Sequence, residues 1–321
     1  MTAAKKALIA LLLAGGATYA GYTRLSMWNG ERAAEVVETL SFDVAKGAGE
    51  LRLWFPKPPA TAEQTVVLEE VRAPWPHTIT KEAEFGNETV HFRARRPEPG
   101  PVSIELRYRV LRRRQGAYKE AAAPGERYLE PGGPLVPDAE IRAMAAEATA
   151  GLTTTMDKAR ALYRHVLGYM TYDKSGSGWG RGDPVYACRV ARGNCTDFHA
   201  LFMSLALASG IPSRFRMGYL LPEEERGEVA GYHCWVEFYA EGHGWVPADI
   251  SAAWHKPRLA RRYFGLLDPD RVLVSTGRGI RLSPPQAGRP LNFLDRPYAE
   301  ADGRELYGMK LTRKYRTLRP L

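Results

Sequence analysis

Cys195, His233 and Asp249 place a thiol, an imidazole and a carboxylate within one stretch of the chain, from Gly193 to Ser251. A cysteine nucleophile, a histidine that removes its proton and a carboxylate that orients the histidine can together perform acyl transfer. Each of the three side chains must therefore be assigned to an element that would hold it.

The cysteine precedes a run with helical spacing. Apolar residues recur on one face between Thr196 and Ser209, and Gly210 with Pro212 forms the expected C-terminal stop. The face consists of Phe198, Leu201, Phe202, Leu205 and Ala208. The pattern places Cys195 at or just before the N-terminus of a helix.

A thiol at a helix start is chemically activated. Asn194 or Thr196 is available to cap the helix, so Cys195 lies at the positive end of the helix dipole. The dipole and an adjacent imidazolium both lower a thiol pKa, and free N–H groups of the first turn can face a developing oxyanion. A small buried cysteine is the alternative; the position after Gly-Asn favours the nucleophile.

The histidine and the carboxylate are predicted on adjoining strands. In the run YHCWVEFY, period-two alternation puts His233, Trp235 and Glu237 on one side. A strand holds a histidine rigidly, as a general base requires. Residues 244–249 form a second strand after the turn EGHG, and a hairpin brings Asp249 near His233 if the register allows.

Other histidines offer competing assignments. His199 lies one helical turn beyond Cys195 and could act as the base, although a neighbour at i+4 usually points along the buried face. His243, between glycines, is typical of an exposed turn. His77 and His91 are isolated, and such histidines usually pack or face solvent.

Three further side chains are candidates for lining the site. Trp179, in the glycine-rich segment 175–183, could donate its indole N–H to an oxyanion or simply anchor its loop. Asn194 and Trp235, next to the predicted helix start and on the histidine strand, are the other two.

The three cysteines form an odd count. If Cys195 is the nucleophile, Cys188 and Cys234 are left as a hypothetical disulfide. A zinc site formed by Cys188, Cys195 and either His233 or Cys234 is a further alternative, but these spacings match none of the usual paired-ligand patterns. We expect no metal.

The first twenty residues predict export. Lys5 and Lys6 precede an apolar run and small residues follow, which is typical of a secretory signal peptide. The run is short for a membrane span of about 20 residues, although an uncleaved N-terminal anchor stays an alternative. We expect an exported protein in the periplasm or cell envelope, or a secreted one.

The net charge of +9 is a feature of the chain ends, because Lys5, Lys6 and the segment 304–321 supply most of it. A basic C-terminal tail predicts association with an anionic membrane surface. The chain lacks the interleaved aromatic and basic residues typical of nucleic-acid binding, so we expect no nucleic-acid partner.

The composition, 45% apolar and 25% charged, is ordinary for a globular protein of 321 residues. We predict a signal peptide or anchor over 1–20, a β-rich sandwich-like domain over 36–115, and a linker over 116–137. A catalytic domain over 138–255 begins with two amphipathic helices, the first capped by Asp138. A β/loop extension with the basic tail covers 256–321 and includes a hairpin at Asp302-Gly303.

With these blocks placed, the sequence resembles the transglutaminase-like superfamily. The matching blocks are GNCTDFHALF, HCW and GWVPADIS, in the chain order Cys, His, Asp. The resemblance implies an α+β, papain-like transglutaminase core, in which a helix carrying the cysteine packs on an antiparallel sheet, preceded by a β-sandwich-like N-terminal domain.

The resemblance also implies a Cys195-His233-Asp249 triad and a thioester intermediate. It leaves the acyl acceptor open, because the family includes cross-linking transglutaminases, which use an amine, and peptidases or amidases, which use water. The calcium-binding segments of animal transglutaminases are not recognisable, so we expect no cofactor. We expect a protein or peptide substrate and somewhat favour hydrolysis; the alternative is a non-catalytic envelope binding or scaffold protein that keeps the fold.

Overall fold

The computed structural model describes residues 30–120, 124–129 and 135–318. The predicted signal peptide over 1–20 lies outside the described residues. No helix within the described part of the chain is long and apolar enough to cross a membrane.

The N-terminal part of the chain forms six antiparallel strands. They are β1 (Glu31–Val44), β2 (Glu50–Lys57), β3 (Gln64–Arg72), β4 (His77–Lys81), β5 (Glu88–Arg95) and β6 (Gly100–Arg113). Buried and more exposed residues alternate along all of β1, as a strand with one covered face requires. Strands β1, β6 and β3 lie in one sheet and β2, β5 and β4 in a second.

The central part of the chain carries five α-helices. They are α1 (Ala139–Ala148), α2 (Thr155–Tyr169), α3 (Pro184–Val190), α4 (Cys195–Ala208) and α5 (Ile250–His255). The cap predicted at Asp138 is confirmed, because its side chain accepts from the N–H of Ile141. Twelve of the fourteen residues of α4 are buried, so this helix is enclosed on all sides.

The strands of the central part are β7 (Thr171–Tyr172), β8 (Arg192–Gly193), β9 (Ser213–Leu220), β10 (Arg226–Glu228), β11 (His233–Ala240), β12 (Gly244–Ala248) and β13 (Arg271–Thr276). Four of them form an antiparallel sheet in the order β12-β11-β9-β13. Helix α4 packs on β11 and β9, with Phe202 against Phe238. A cysteine-bearing helix therefore packs on an antiparallel sheet, and the predicted α+β, papain-like core is confirmed.

The C-terminal part of the chain completes the N-terminal sandwich. Its strands are β14 (Tyr298–Ala301), β15 (Arg304–Glu305) and β16 (Lys310–Leu318). Strand β14 pairs with β2 and β16 pairs with β1, so both sheets have five strands and draw on both ends of the chain. Pairing between distant segments leaves no local signal, so the sequence alone predicts a separate extension over 256–321.

Most of the predicted basic tail, as far as residue 318, lies in β15, β16 and the segment between them. The hairpin at Asp302-Gly303 is confirmed, with both residues at positive φ between β14 and β15. In β16, Arg313 is buried and its guanidinium hydrogen-bonds Glu38 of β1. Such an arginine contributes to the interior of the protein and is not available to a membrane surface.

The N-terminal sandwich packs against the four-stranded sheet β12-β11-β9-β13. Side chains of β1, β6 and β16, among them Val36 and Tyr108, share one core with Tyr219, Val272 and Val274 of β9 and β13. Strand β10, which follows β9 in the chain, pairs with β16 of the first sheet. The first sheet therefore supports the loop that follows β9.

The buried carboxylate of Glu237 connects the predicted linker to the four-stranded sheet that contains β11. Glu237 of β11 accepts from Gln115 (2.5 Å), Tyr118 (2.8 Å), Arg214 (2.7 Å) and Arg216 (2.8 Å). Tyr118 also exchanges two backbone hydrogen bonds with Trp245 at the edge strand β12. Burial alone raises the pKa of Glu237, but Arg216 and Arg214 outweigh it and lower the pKa to about 2.

We expect Glu237→Gln to lower the free energy of unfolding by about 3–5 kcal/mol at pH 7, because buried Arg216 loses its counter-charge and Arg214 keeps only the more exposed Glu120. The folded pKa is lowered, so this contribution is present above the unfolded value of about 4.3 and shrinks as the pH falls toward 2. Urea unfolding at pH 7 and pH 3 measures it. The exposed Glu241→Gln is the control, and equal stability of the two variants at pH 7 would contradict the prediction.

Candidate active site

Cys195 is the first residue of α4, as predicted. Asn194 caps the helix, and its side chain accepts from the N–H of Thr196 at 2.9 Å. The carboxylate of Asp197 accepts from the N–H of Asn194 at 2.9 Å and completes a capping box. The Cys195 sulfur therefore lies at the positive end of a buried helix, where negative charge on sulfur is stabilised.

Asp197 also holds the glycine-rich loop against the helix start. Its two carboxylate oxygens accept from the N–H groups of Gly180 (2.7 Å) and Gly182 (3.0 Å). Gly193 lies so close that an added Cβ would stand 2.3 Å from a carboxylate oxygen of Asp197. A glycine is therefore required two residues before the cysteine, and the loop over 175–183 is fixed at one edge of the site.

His233 begins β11 and Asp249 follows β12, and the two side chains meet. Val236 pairs with Ala248, a register that sets Asp249 beside the start of β11. Nε2 of His233 donates to Oδ2 of Asp249 at 2.6 Å. The other ring nitrogen, Nδ1, is then the one left to exchange a proton with the Cys195 thiol, whose pKa His233 helps to lower.

Asp249 is completely buried and accepts several hydrogen bonds. The guanidinium of Arg271, on β13, donates to its Oδ2 at 2.7 Å, and the N–H of Ala252 donates to its Oδ1 at 2.8 Å as the cap of α5. Burial alone raises the pKa of this carboxyl, but His233 and Arg271 outweigh burial and hold the pKa well below its usual range. Asp249 is thus a fixed anion against the ring of His233.

The pKa of Cys195 is lowered and the pKa of His233 is raised. Burial by itself lowers the pKa of His233, but Asp249 and Cys195 together raise it to about 9. The pKa of Cys195 falls to about 6, first because Cys234 hydrogen-bonds its sulfur and then, against the effect of burial, because of His233. Between those two values a thiolate–imidazolium pair is the stable form.

His199 does not have the environment of a base. It is fully buried on α4, its Nε2 accepts from the N–H of Ile250 at 3.1 Å, and its Nδ1 lies 3.4 Å from the Cys234 sulfur. Burial lowers its pKa to about 4, even though Asp249 Oδ1 is only 3.6 Å away. His199 is therefore a neutral hydrogen-bonding residue beneath the site.

A cavity of about 400 Å³ opens beside His233, between Tyr172 and Tyr263, and contains side chains of both signs, among them Lys256 and Asp270. Its wall includes residues 220–223, held from the N-terminal sandwich. Arg32 of β1 donates to the carbonyls of Leu221 (3.0 Å) and Pro222 (2.5 Å). A second cavity, of about 440 Å³, adjoins Tyr232 and lies against β16.

With this geometry in view, comparisons with known proteins identify the central part of the chain. A sequence model described as Transglutaminase-like superfamily matches residues 142–250. These residues belong to the transglutaminase-like superfamily. The match contains Cys195, His233 and Asp249.

Relatives of known sequence or structure extend the likeness. A Haemophilus influenzae protein described as uncharacterized is 31% identical in an alignment 185 residues long, and the match covers 47% of this chain and 50% of that protein. The chain thus spans about half the length of this relative. A Cytophaga hutchinsonii structure described as a "Putative Cysteine Protease" matches with a TM-score of 0.60 at 15% identity. The match covers 90% of this chain and 92% of that one. That likeness shows a shared fold.

The periplasmic domain of TgpA from Pseudomonas aeruginosa aligns more loosely. Its TM-score is 0.40 at 18% identity, over 73% of this chain and 94% of that one.

The structure separates the remaining candidates for lining the transglutaminase-like site. Asn194 lies within it, and its amide Nδ2 donates to the Tyr232 hydroxyl at 2.8 Å. The indole N–H of Trp179 instead donates to the carbonyl of Gly176 at 3.2 Å, which favours the role of a loop anchor. Trp235 is buried near the ring of His233, and its indole nitrogen has no hydrogen-bond partner in the described part of the chain.

The proposed Cys188–Cys234 disulfide is not present, and all three cysteines are free thiols. The Cys234 sulfur instead lies 3.4 Å from Nδ1 of His199. The residues that the structure describes include no group of three or more His, Cys, Asp or Glu that could hold a metal ion.

Sequence reasoning missed four residues of the site. Arg271 donates to Asp249, Cys234 helps to lower the pKa of Cys195, and Cys195 in turn raises the pKa of Tyr172 and Tyr232. Tyr172 is placed by the parallel pairing of β7 with β8, in which it lies opposite Gly193. Only Cys234 carried a local signal, since it follows His233 directly; Arg271 lies 22 residues beyond Asp249 in an ordinary β pattern.

We expect the alkylation rate of Cys195 by iodoacetamide to be half-maximal near pH 6, because Cys234 and His233 stabilise its thiolate. Burial raises the pKa of Cys188 to about 11, so this thiol is the internal control. Residue-resolved mass spectrometry at a series of pH values measures both. A midpoint for Cys195 near the unperturbed value of about 8.5 would contradict the assignment.

Proposed function

We propose that this protein is an exported thiol acyl-transfer enzyme that acts on amide bonds of protein or peptide substrates. The observation that carries the proposal is the 2.6 Å hydrogen bond between His233 and the buried Asp249, beside a cysteine whose pKa is lowered to about 6 at a helix start. A nucleophile, a base and an orienting carboxylate are the parts that covalent acyl transfer needs.

In the first half-reaction, the Cys195 thiolate attacks the carbonyl carbon of the amide. We assign the N–H of Cys195 to the oxyanion that develops, because the N–H groups of Thr196, Asp197 and Phe198 already donate to Asn194. The imidazolium of His233 gives its Nδ1 proton to the leaving nitrogen, the C–N bond breaks, and the acyl group stays on sulfur as a thioester. Asp249 holds the ring in position throughout.

In the second half-reaction, neutral His233 takes a proton from the acyl acceptor, which attacks the thioester. The C–S bond breaks, and the thiolate–imidazolium pair is restored. We propose water as the acceptor, ahead of an amine. The cavity beside His233 bears Lys256 and Arg271 as well as acidic side chains, so it offers a cationic amine no one-sided attraction.

The location and substrate are part of the proposal. The basic and apolar segment at residues 1–20 supports export, and with it a protein or peptide substrate in the cell envelope. Membrane-surface association would rest on this N-terminal segment more than on β16, because Arg313 is buried and Arg316 lies 3.5 Å from Glu35.

The alternative, a binding or scaffold protein without turnover, is less well supported. A scaffold gains nothing from a buried carboxylate held by an arginine against an imidazole, since burying charge is costly unless the charges are paired. The cavity of about 400 Å³ beside His233 also gives a substrate or acceptor access to the base.

We expect Cys195→Ala to abolish turnover, and His233→Ala to slow labelling of Cys195 by a thiol-directed electrophile at pH 6.5 about tenfold or more. Mass spectrometry of envelope extracts incubated with each form detects cleaved or cross-linked products. Cys188→Ala, which alters a buried thiol on α3 outside the site, is the matched control. Equal, slow labelling of all three cysteines would exclude the catalytic proposal.

We also expect kcat/KM to follow a bell-shaped pH profile with limbs near 6 and 9, because the reaction needs both the Cys195 thiolate and the His233 proton. Asp249→Asn should lower the basic limb by removing the charge that holds that proton. Initial rates on a cleaved substrate peptide between pH 5 and about 10 measure both limbs. A basic limb unchanged in Asp249→Asn would contradict the role of the carboxylate.

A further inference from the structure

The second cavity, of about 440 Å³, lies at the edge of the proposed active site and has no role in the mechanism above. We call it the Tyr232 cavity. Its wall consists of side chains from the segments 229–232, 291–298 and 305–313, together with Leu40 of β1. The last two segments and Leu40 lie outside the transglutaminase-like residues 142–250. The N-terminal sandwich and the chain that completes it therefore form most of this cavity.

One wall of the cavity is bonded to the start of the helix that carries Cys195. The hydroxyl of Tyr232 accepts from Nδ2 of Asn194 at 2.8 Å, and Asn194 caps that helix. Gly180 of the glycine-rich loop packs against the same two residues. A Cβ added to Gly180 would lie 3.3 Å from Nδ2 of Asn194 and 3.8 Å from the Tyr232 hydroxyl. The cavity thus begins next to the proposed nucleophile.

The opposite wall, at Phe293, is attached to the other side of the glycine-rich loop. The guanidinium of Arg278 lies 5.1 Å from the centre of the Phe293 ring and donates to the carbonyl of Gly182 at 2.7 Å. A Cβ added to Gly182 would lie 3.2 Å from the Phe293 ring. The N–H of Gly182 donates to Asp197 in the first turn of the nucleophile helix. Both walls are therefore held in place relative to Cys195.

The chemistry of the wall favours an apolar ligand group. Several apolar side chains of the wall are only partly buried: Leu291, Phe293, Leu306, Met309 and Leu311. Tyr307, which is 78% exposed, adds an aromatic ring. The charged side chains are of both signs, and Asp295 pairs with Arg296 at 3.2 Å while Arg313 hydrogen-bonds Glu38. Such a cavity gains more from apolar contact than from binding an ion.

We propose that the Tyr232 cavity is a substrate subsite that receives an aromatic or branched apolar side chain on the acyl side of the scissile amide. The inference rests on the proposed function, because it names the substrate of the same nucleophile. His233 gives a proton to the leaving nitrogen, so the cavity beside His233 takes the leaving group and then the acceptor. The described wall of the Tyr232 cavity does not include His233, so this cavity is left for the acyl part.

The test measures acylation of the full chain by para-nitrophenyl esters of acetyl-X-Gly and acetyl-Gly-X, in which X is Phe, Leu, Ala, Lys or Glu. The Cys195 thiolate displaces para-nitrophenolate, whose absorbance gives kcat/KM, and Cys195→Ala supplies the background rate. We expect the Phe and Leu esters to exceed the Ala ester about tenfold or more in one of the two series, because their side chains become buried. The Lys and Glu esters should show no such gain.

Two variants of the wall should reduce this preference. Met309→Asp places a carboxylate in the wall, in an irregular segment between β15 and β16, and should bring the Phe-to-Ala ratio below about threefold. Tyr307→Ala removes a mostly exposed ring, so the fold is not at risk, and should lower the ratio about threefold. Ile79→Asp, on β4 and 53% exposed, is the matched control and should keep the wild-type ratio. An unchanged ratio in both wall variants, or a preference for Lys or Glu, would overturn the proposal.

A binding measurement does not depend on turnover. In Cys195→Ala protein with methionine labelled at its methyl carbon, N-acetyl-phenylalaninamide should shift the Met309 resonance, which Met309→Leu identifies. N-acetyl-lysinamide should not, and Met144 and Met156 on α1 and α2 should stay unchanged with either probe. If no ester acylates Cys195 but Met309 shifts, the enzymatic proposal fails and the binding site stands. If esters are hydrolysed with no preference that depends on Met309 or Tyr307, the subsite alone is excluded.

A second copy of the chain is the competing occupant of the Tyr232 cavity. Sedimentation at rising protein concentration detects it. We expect the same sedimentation behaviour for the wild type and Met309→Asp. A dimer that is lost in Met309→Asp would assign the cavity to a contact between two copies and overturn the proposal.

Discussion

The buried anion of Asp249 is the interaction on which the site depends. A carboxylate without solvent is tolerated only where cations and N–H donors surround it, and here Arg271, His233 and the start of α5 do so. Each donor belongs to a different element, β13, β11 and α5. The carboxylate therefore fixes the relative position of these elements as well as the tautomer of the histidine.

A second buried carboxylate, that of Asp197, stabilises the start of the helix that carries Cys195. Asp197 closes the capping box and accepts from two glycines of the 175–183 loop, so helix start and loop form one rigid unit. Burial raises the pKa of Asp197, while these N–H donors counter that effect. Two acidic residues thus organise the site, Asp197 at the proposed nucleophile and Asp249 at the proposed base.

The N-terminal sandwich takes part in shaping the site. Arg32 donates to the carbonyls of Leu221, Pro222 and Glu224 and to the carboxylate of Asp270. Strand β10 also joins the sheet that contains β16. The wall of the cavity beside His233 is thereby held from outside the transglutaminase-like residues 142–250. The wall of this cavity and the sandwich are therefore structurally linked.

The sequence by itself determined the reactive residue types, the helix that begins at Cys195, the strands of His233 and Asp249, and the two-part α+β organisation. These features have local causes: a capping residue, a helical or period-two apolar pattern, and a glycine at each stop. Only the tertiary structure decided that β14 and β16 complete the sandwich, that Arg271 neutralises Asp249, and that His199 is a buried hydrogen-bond donor and not a base. Strand pairing and ion pairs between distant segments depend on register and burial, which no local pattern encodes.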